Sequence, residues 1–383
     1  MKSYGHLWEE YLSDSNYYAA IQNATRHKGG KKGKAKRARY IREHADEMKA
    51  EILEYAANFH PDPHTPKIIN DGIQRKKRTI WVPSMREEIV HHMMINVLRP
   101  IFLRPMYEHS YGSIPRRGAM RGRKKKTKSG KKAIEKYIRE HPKECRYCLK
   151  MDIRKYFDSV SHEKLMEMLR RKIRDGRFMQ VLDRLVNGAE GKAGIPIGFY
   201  TSQWFANFYL TGFDHWMKEQ MHVKGYFRYV DDLVVFGSNK RELHRLRLAV
   251  DRYLRDELGL ELNRKWQVFR FHYVGRKREY GRFLDFMGFR FYRNRTTLRR
   301  SLLYRASRKA RRIARERPKT AHSARQMTSY AGWLRAADVY MAYRKWIKPY
   351  VSFRQMRRIT AAAQRKRNEE ARACGIQTVT ATA

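Results

Sequence analysis

Acidic residues are scarce in this 383-residue chain: 38 Asp and Glu stand against 85 Lys and Arg, a formal charge of +47. A compact fold this basic repels itself unless a polyanion covers it. Nucleic acid is therefore the expected partner, and an anionic membrane surface the other candidate. Cysteine is scarcer still. Cys145, Cys148 and Cys374 make no disulfide framework, which fits a reducing cytoplasm. No run approaches the roughly eighteen apolar residues of a bilayer-spanning helix. The opening MKSYGHLWEEYLSDS lacks the basic-then-apolar order of a secretion signal, so a cytoplasmic protein without a membrane partner is expected. What is plentiful is core material: 42% apolar and 13% aromatic residues exclude wholesale disorder.

Two glycine-punctuated basic stretches, Arg26–Arg39 and Pro115–Lys132, read either as solvated loops or as arms that follow a phosphate backbone. Apolar spacing predicts helices over 40–57 and 86–103, the latter with Ile89, Val90, Met93, Met94, Val97 and Leu98 on one side. His91 and His92 are expected on that helix's surface. Strands are predicted at 68–72, 78–83 and 147–154, a strand-turn-strand at 227–236, and a strand or hairpin at 282–291. Helices are predicted over 162–172, 201–220 and 240–257, and beyond Asn294 the pattern is wholly helical and basic. Irregularly mixed strands and helices indicate an α+β protein with an antiparallel sheet and a helical appendage. Cys145-Arg-Tyr-Cys148 is a lone pair, read as packing or loop rather than metal ligation.

In so acid-poor a chain, aspartates among β-formers are conspicuous. Asp152 ends the Leu149-Lys-Met-Asp152 strand, and Asp231-Asp232 interrupt Tyr229-Val-Asp-Asp-Leu-Val-Val-Phe236. Adjacent strand residues face opposite sides, so burying both acids would be costly. A tight turn lifts them to the sheet edge, where a neighbouring Asp152 would complete an oxygen-rich site suited to Mg²⁺. Alone, an Asp-Asp pair is equally a hairpin turn.

Asp152-Ile-Arg-Lys-Tyr-Phe-Asp-Ser159, then Gly194-Ile-Pro-Ile-Gly-Phe-Tyr-Thr-Ser-Gln203, then Tyr229-Val-Asp-Asp232 resemble, in order, motifs A, B and C of reverse transcriptases. Leu258-Gly-Leu-Glu-Leu-Asn-Arg-Lys265 resembles motif D and Phe283–Phe291 motif E. The resemblance implies a right-hand polymerase. Residues 1–60 would be a basic extension and helix, 61–150 fingers with the 115–132 loop, 151–292 palm, 293–360 helical thumb and 361–383 a polar tail. It implies two Mg²⁺ ions, with Mn²⁺ able to substitute, on Asp152, Asp231 and Asp232, with Ile153 also among the metal positions. The ions would activate a 3′-hydroxyl and stabilise departing pyrophosphate. Lys77 and Arg78, in the basic strand Gln74–Ile80, would hold the triphosphate. Phe157 would be the steric gate against a ribose 2′-hydroxyl, or otherwise core. Gly198 would let the backbone approach the template and nucleotide closely. Ser202 and Gln203 would lie beneath the nascent pair, Ser202 otherwise an N-cap, and Lys265 would protonate pyrophosphate.

Within that family, Ile197-Gly198 followed by Ser202-Gln203 and Phe-Ala-Asn-Phe-Tyr-Leu210 looks like the enzymes of diversity-generating retroelements, which copy a template-repeat RNA with errors at adenine. The implied partners are template RNA, cDNA, deoxynucleotides and a small basic accessory protein forming a ring. Phage-defence and other bacterial reverse transcriptases share the Ser110–Gly118 block and stay open. So do an RNA-templated RNA polymerase and a non-catalytic RNA-binding scaffold.

Overall fold

The computed structural model describes residues 3–26, 34–71, 76–120, 127–188 and 191–373. Most of the Gly- and Lys-rich stretch after Arg26, residues 72–75 with Gln74 and Arg75, the cations Arg123–Lys126, Cys374 and the end of the polar tail lie outside the described residues. Two compact units divide the chain, Met1–Tyr137 with His141–Arg270, and Ile138–Glu140 with Phe271–Ala383. The division at Arg270 falls inside the stretch 151–292 read as one palm. Among the described residues no helix is long and apolar enough to cross a membrane.

The first unit is built round the helix Met85–Leu103. Ser84 starts it by accepting the Glu87 N–H (3.2 Å), the arrangement expected of a Ser-x-x-Glu start. Its predicted apolar face, Ile89, Val90, Met93, Met94, Val97 and Leu98, is buried. The surface placement of His91 and His92 is overturned, because both are buried as well. Aromatics close the other side: His91 packs on Phe199 and Phe59, and His92 stacks on Tyr200 with ring centres 4.0 Å apart.

Strands β1 (Thr65–Asp71) and β2 (Lys76–Val82) pair antiparallel as a hairpin. The central sheet takes β3 (Ser110–Tyr111), β4 (Tyr147–Asp152), β5 (Gly225–Tyr229), β6 (Asp232–Gly237) and β7 (Gln267–Arg270) in the spatial order β3-β5-β6-β4-β7. All pairings are antiparallel except the two-residue β3 edge, which runs parallel to β5. Helices Tyr200–Tyr209 and Lys240–Leu258 contribute Phe205, Phe208, Val250 and Leu254 to the buried core. Cys145 and Cys148 are buried beside it, in keeping with a packing role. Strands flanked by helices give the mixed α+β class expected.

The second unit opens with short strands, including an antiparallel meander of Leu284–Phe286, Phe289–Phe291 and Thr296–Leu298, and continues in four helices between Arg300 and Ala373. The last of those strands corrects the wholly helical expectation beyond Asn294: Thr296 and Leu298 alternate inward and its backbone pairs with Phe289–Phe291. Leu284, Phe286, Phe289 and Phe291 are all buried, and the Phe289 ring lies 5.2 Å from Trp333. These side chains are therefore core of the second unit.

Candidate active site

The turn between β5 and β6 consists of Val230 and Asp231, since Tyr229 pairs with Asp232. So short a reversal needs a left-handed residue, and Val230 supplies it at φ 56°. Room for the valine comes from Gly112, where a Cβ would sit 2.7 Å from Val230 Cγ2. On the adjoining strand Asp152 stands opposite Asp232, and the Ile153 N–H reaches the Asp231 carbonyl at 3.4 Å.

The three acids thus share one end of the sheet, in different surroundings. Burial, then the nearby Asp152 carboxylate, raises the Asp231 pKa to about 6, and the Arg78 guanidinium opposes the rise. Asp152 Oδ2 accepts from Asn263 Nδ2 at 3.0 Å, and its carbonyl accepts the Asn263 N–H at 2.8 Å. Asp232 Oδ1 lies 3.7 Å from Lys150 Nζ. Among the described residues no group of three or more His, Cys, Asp or Glu is gathered as a metal shell. Asp152 and Asp231 form a repelling pair, Asp232 adds to that repulsion, and Asp232 also lies beside Lys150. The pair is an oxygen-donor set whose repulsion a hard divalent cation would relieve, so the residues fit such an ion.

The basic hairpin and the Gly194–Phe199 loop are joined by backbone. The Trp81 N–H donates to the Ile197 carbonyl at 2.7 Å. Gly198 has φ +121°, and a Cβ there would meet the Trp81 carbonyl oxygen at 2.3 Å. The close approach seen at this glycine is to β2, not the approach to template and nucleotide that the resemblance implies. Lys77 and Arg78 are exposed on β2, with Arg78 near enough for its charge to act on Asp231. Phe157 is half-buried against the core, its carbonyl accepting the Ile195 N–H at 2.8 Å. Ile153 is buried. Ser202 is buried inside the Tyr200–Tyr209 helix and is not its cap, because the N-cap position is Phe199. Gln203 is exposed, as is Lys265, whose backbone N–H donates to Asn263 Oδ1 at 3.1 Å.

Sequence reasoning passed over Asn263, although it stands inside the stretch likened to motif D. It also passed over Arg228 and Asp214, a fully buried ion pair at 2.6 Å directly behind the turn. The available signal was an acid among aromatics, in Gly212-Phe-Asp-His-Trp216.

A family model described as reverse transcriptase (RNA-dependent DNA polymerase) matches residues 66–290. Protein YkfC of Escherichia coli K12 is 29% identical over 158 residues, 38% of this chain and 38% of that protein. An uncharacterized 91 kDa protein in the cob intron of Schizosaccharomyces pombe is 27% identical over 189 residues, 47% of this chain and 22% of that protein. The chain thus spans well under half the length of these curated relatives. Among solved structures, an apo telomerase from Candida tropicalis truncated from its C-terminal domain aligns at TM-score 0.44 and 13% identity. The alignment covers 67% of this chain and 60% of that one.

Proposed function

The chain belongs to the reverse transcriptase family, and from that membership we propose that it is an RNA-directed DNA polymerase, copying template RNA into cDNA from deoxynucleoside triphosphates. The observation that carries this reading is the half-buried Asp231 carboxyl, raised to about 6 by burial and by Asp152 across the sheet end.

Asp152 and Asp231 would hold the divalent ions, Mg²⁺ by donor preference and Mn²⁺ in substitution, with the Ile153 backbone and Asp232 beside them. Such ions supply Lewis-acid activation of a 3′-hydroxyl and charge neutralisation at the leaving pyrophosphate. Asn263 orients Asp152 through its 3.0 Å hydrogen bond. Arg78, with Lys77, offers donors to the triphosphate from β2. Gly198 fixes that strand to the loop through Trp81. Phe157 shuts out a ribose 2′-hydroxyl, Ser202 and Gln203 support the nascent pair from their helix, and Lys265 gives a proton to pyrophosphate. In this reading 61–150 act as fingers, 151–292 as palm and 293–360 as thumb.

We place the enzyme with the diversity-generating retroelements on the strength of Ile197-Gly198 and Ser202-Gln203, with a small basic ring-forming protein as its accessory partner. The intron named in the fission-yeast relative's description favours a second reading, an intron-related lineage.

Primer extension on an RNA template tests the activity. Wild type should incorporate deoxynucleotides, and Asp231→Asn should lose incorporation while still binding the template. Extension by Asp231→Asn at the wild-type rate would remove Asp231 from the metal site, and a wild type that incorporates nothing would leave only an RNA-binding scaffold. Misincorporation opposite template adenine that falls in Ile197→Gln supports the retroelement reading; unchanged errors favour the intron-related one.

A further inference from the structure

Behind the turn that carries Asp231 lies a buried polar cluster that the roles above do not use. Arg228, three residues before Asp231 on β5, is among the largest fully buried side chains of the molecule. Its Nε and Nη2 donate to the equally buried Asp214 at 2.8 and 2.6 Å. Asp214 also accepts from Ser110 Oγ at 2.9 Å and Tyr226 Oη at 2.7 Å. The carboxylate is thereby saturated, and the guanidinium is locked in one orientation.

The third nitrogen is aimed at the turn. Arg228 Nη1 donates to the Val230 carbonyl at 3.0 Å and to Asn207 Oδ1 at 3.3 Å. Asn207 Nδ2 donates onward to the carbonyls of Gly112 (3.2 Å) and Gln203 (3.0 Å). Gly112 is the residue whose missing side chain admits Val230.

Two physical facts give this arrangement its meaning. A buried ion pair adds little net stability, because desolvation offsets the attraction, so stability alone does not account for it. A β-branched residue in the left-handed region is disfavoured and persists only where its surroundings over-determine it. Val230 is such a residue, and Arg228 grips its carbonyl.

We propose that Arg228, oriented by Asp214, is a positioning residue that fixes the Val230–Asp231 turn and so holds the Asp231 carboxylate in register with Asp152. The cluster also ties the Tyr200–Tyr209 helix to that turn through Asn207. The proposal rests on the polymerase reading for its kinetic consequence, but not for its structural one.

Two variants test it. Arg228→Met with Asp214→Leu removes both charges together, so no orphaned ion remains. Arg228→Lys keeps the charge opposite Asp214 but loses the fork that reaches Val230 and Asn207. Hydrogen exchange is read at the 229–233 amides, and incorporation kinetics are read in parallel. In both variants the turn amides should exchange at least about tenfold faster while those of the Met85–Leu103 helix stay unchanged. The rate constant for incorporation should fall about a hundredfold, with KM for the deoxynucleotide within about threefold of wild type. Wild-type exchange at the turn in both variants would overturn the proposal, as would undiminished incorporation by Arg228→Lys. A wild-type protein that incorporates nothing would instead overturn the polymerase reading, and the exchange measurement would still decide the role of Arg228.

Discussion

Asp231 sits at the sheet end close enough to Asp152 for the second carboxylate, added to burial, to raise the first from 3.8 to about 6. The folded pKa is thus raised, so ionisation works against the fold, and the penalty is complete only above about pH 6. Asp231→Asn should melt higher than wild type at pH 7.5 in chelator, and the gain should fade towards pH 3, where both folded and unfolded chains carry the proton. The same substitution should cost at least about a thousandfold in incorporation. Melting curves with chelator at the two pH values, together with primer extension, check both halves; equal melting at pH 7.5 would refute the coupling.

Asn263 bonds Asp152 through both its backbone and its side chain. Asn263→Ala leaves Asp152 Oδ2 without its donor, a change worth about 1 kcal/mol, so incorporation should drop roughly fivefold. Asn263→Asp sets a further negative charge against Asp152 and should be the poorer enzyme of the two. Single-turnover rates rank them, and the reverse order would rule out this role.

Gly198→Ala forces a Cβ towards the Trp81 carbonyl oxygen at 2.3 Å, from a backbone at φ +121°. Either the loop or β2 must move. A loss of roughly 1–3 kcal/mol in stability is expected, with a raised KM for the nucleotide because Lys77 and Arg78 ride on β2. Urea unfolding and steady-state kinetics measure the two effects; an alanine variant matching wild type in both would show that the approach is not needed.

His91 is buried, and burial followed by the charges of His64 and His92 lowers its pKa to about 3. Its Nε2 lies 3.6 Å from Glu87, whose own pKa burial raises. The unfolded chain takes up a proton near pH 6.5 that the folded one refuses, so stability falls as pH drops from 6.5 towards 3. Between pH 7 and pH 5 this one group should cost about 2 kcal/mol. Urea midpoints of wild type and His91→Met at the two pH values test it; His91→Met should lose correspondingly less on acidification.

Much of this was legible in the chain because local rules govern it. Periodicity located the Met85–Leu103 helix, and an acid pair amid β-formers located the Val230–Asp231 turn. The misplaced histidines have a plain cause. An amphipathic stripe tells which face is apolar but not that Phe199, Phe59 and Tyr200 arrive to bury the opposite face as well. The strand Thr296–Leu298 was missed because three residues are too few for alternation to register against a helical, basic background.

The amino-acid order by itself determined the basic character, the mixed class and the acids at a strand end and a turn, because charge, alternation and turn chemistry act between neighbours. Only tertiary structure decided which carboxylates meet: Asp231 feels both Asp152 and Asp232, and Asp232 also lies beside Lys150. It alone joined Arg228 to Asp214 and Trp81 to Gly198. Those relationships depend on strand register and on side chains from separate helices meeting in a low-dielectric interior, where a few ångströms decide the sign and size of an interaction.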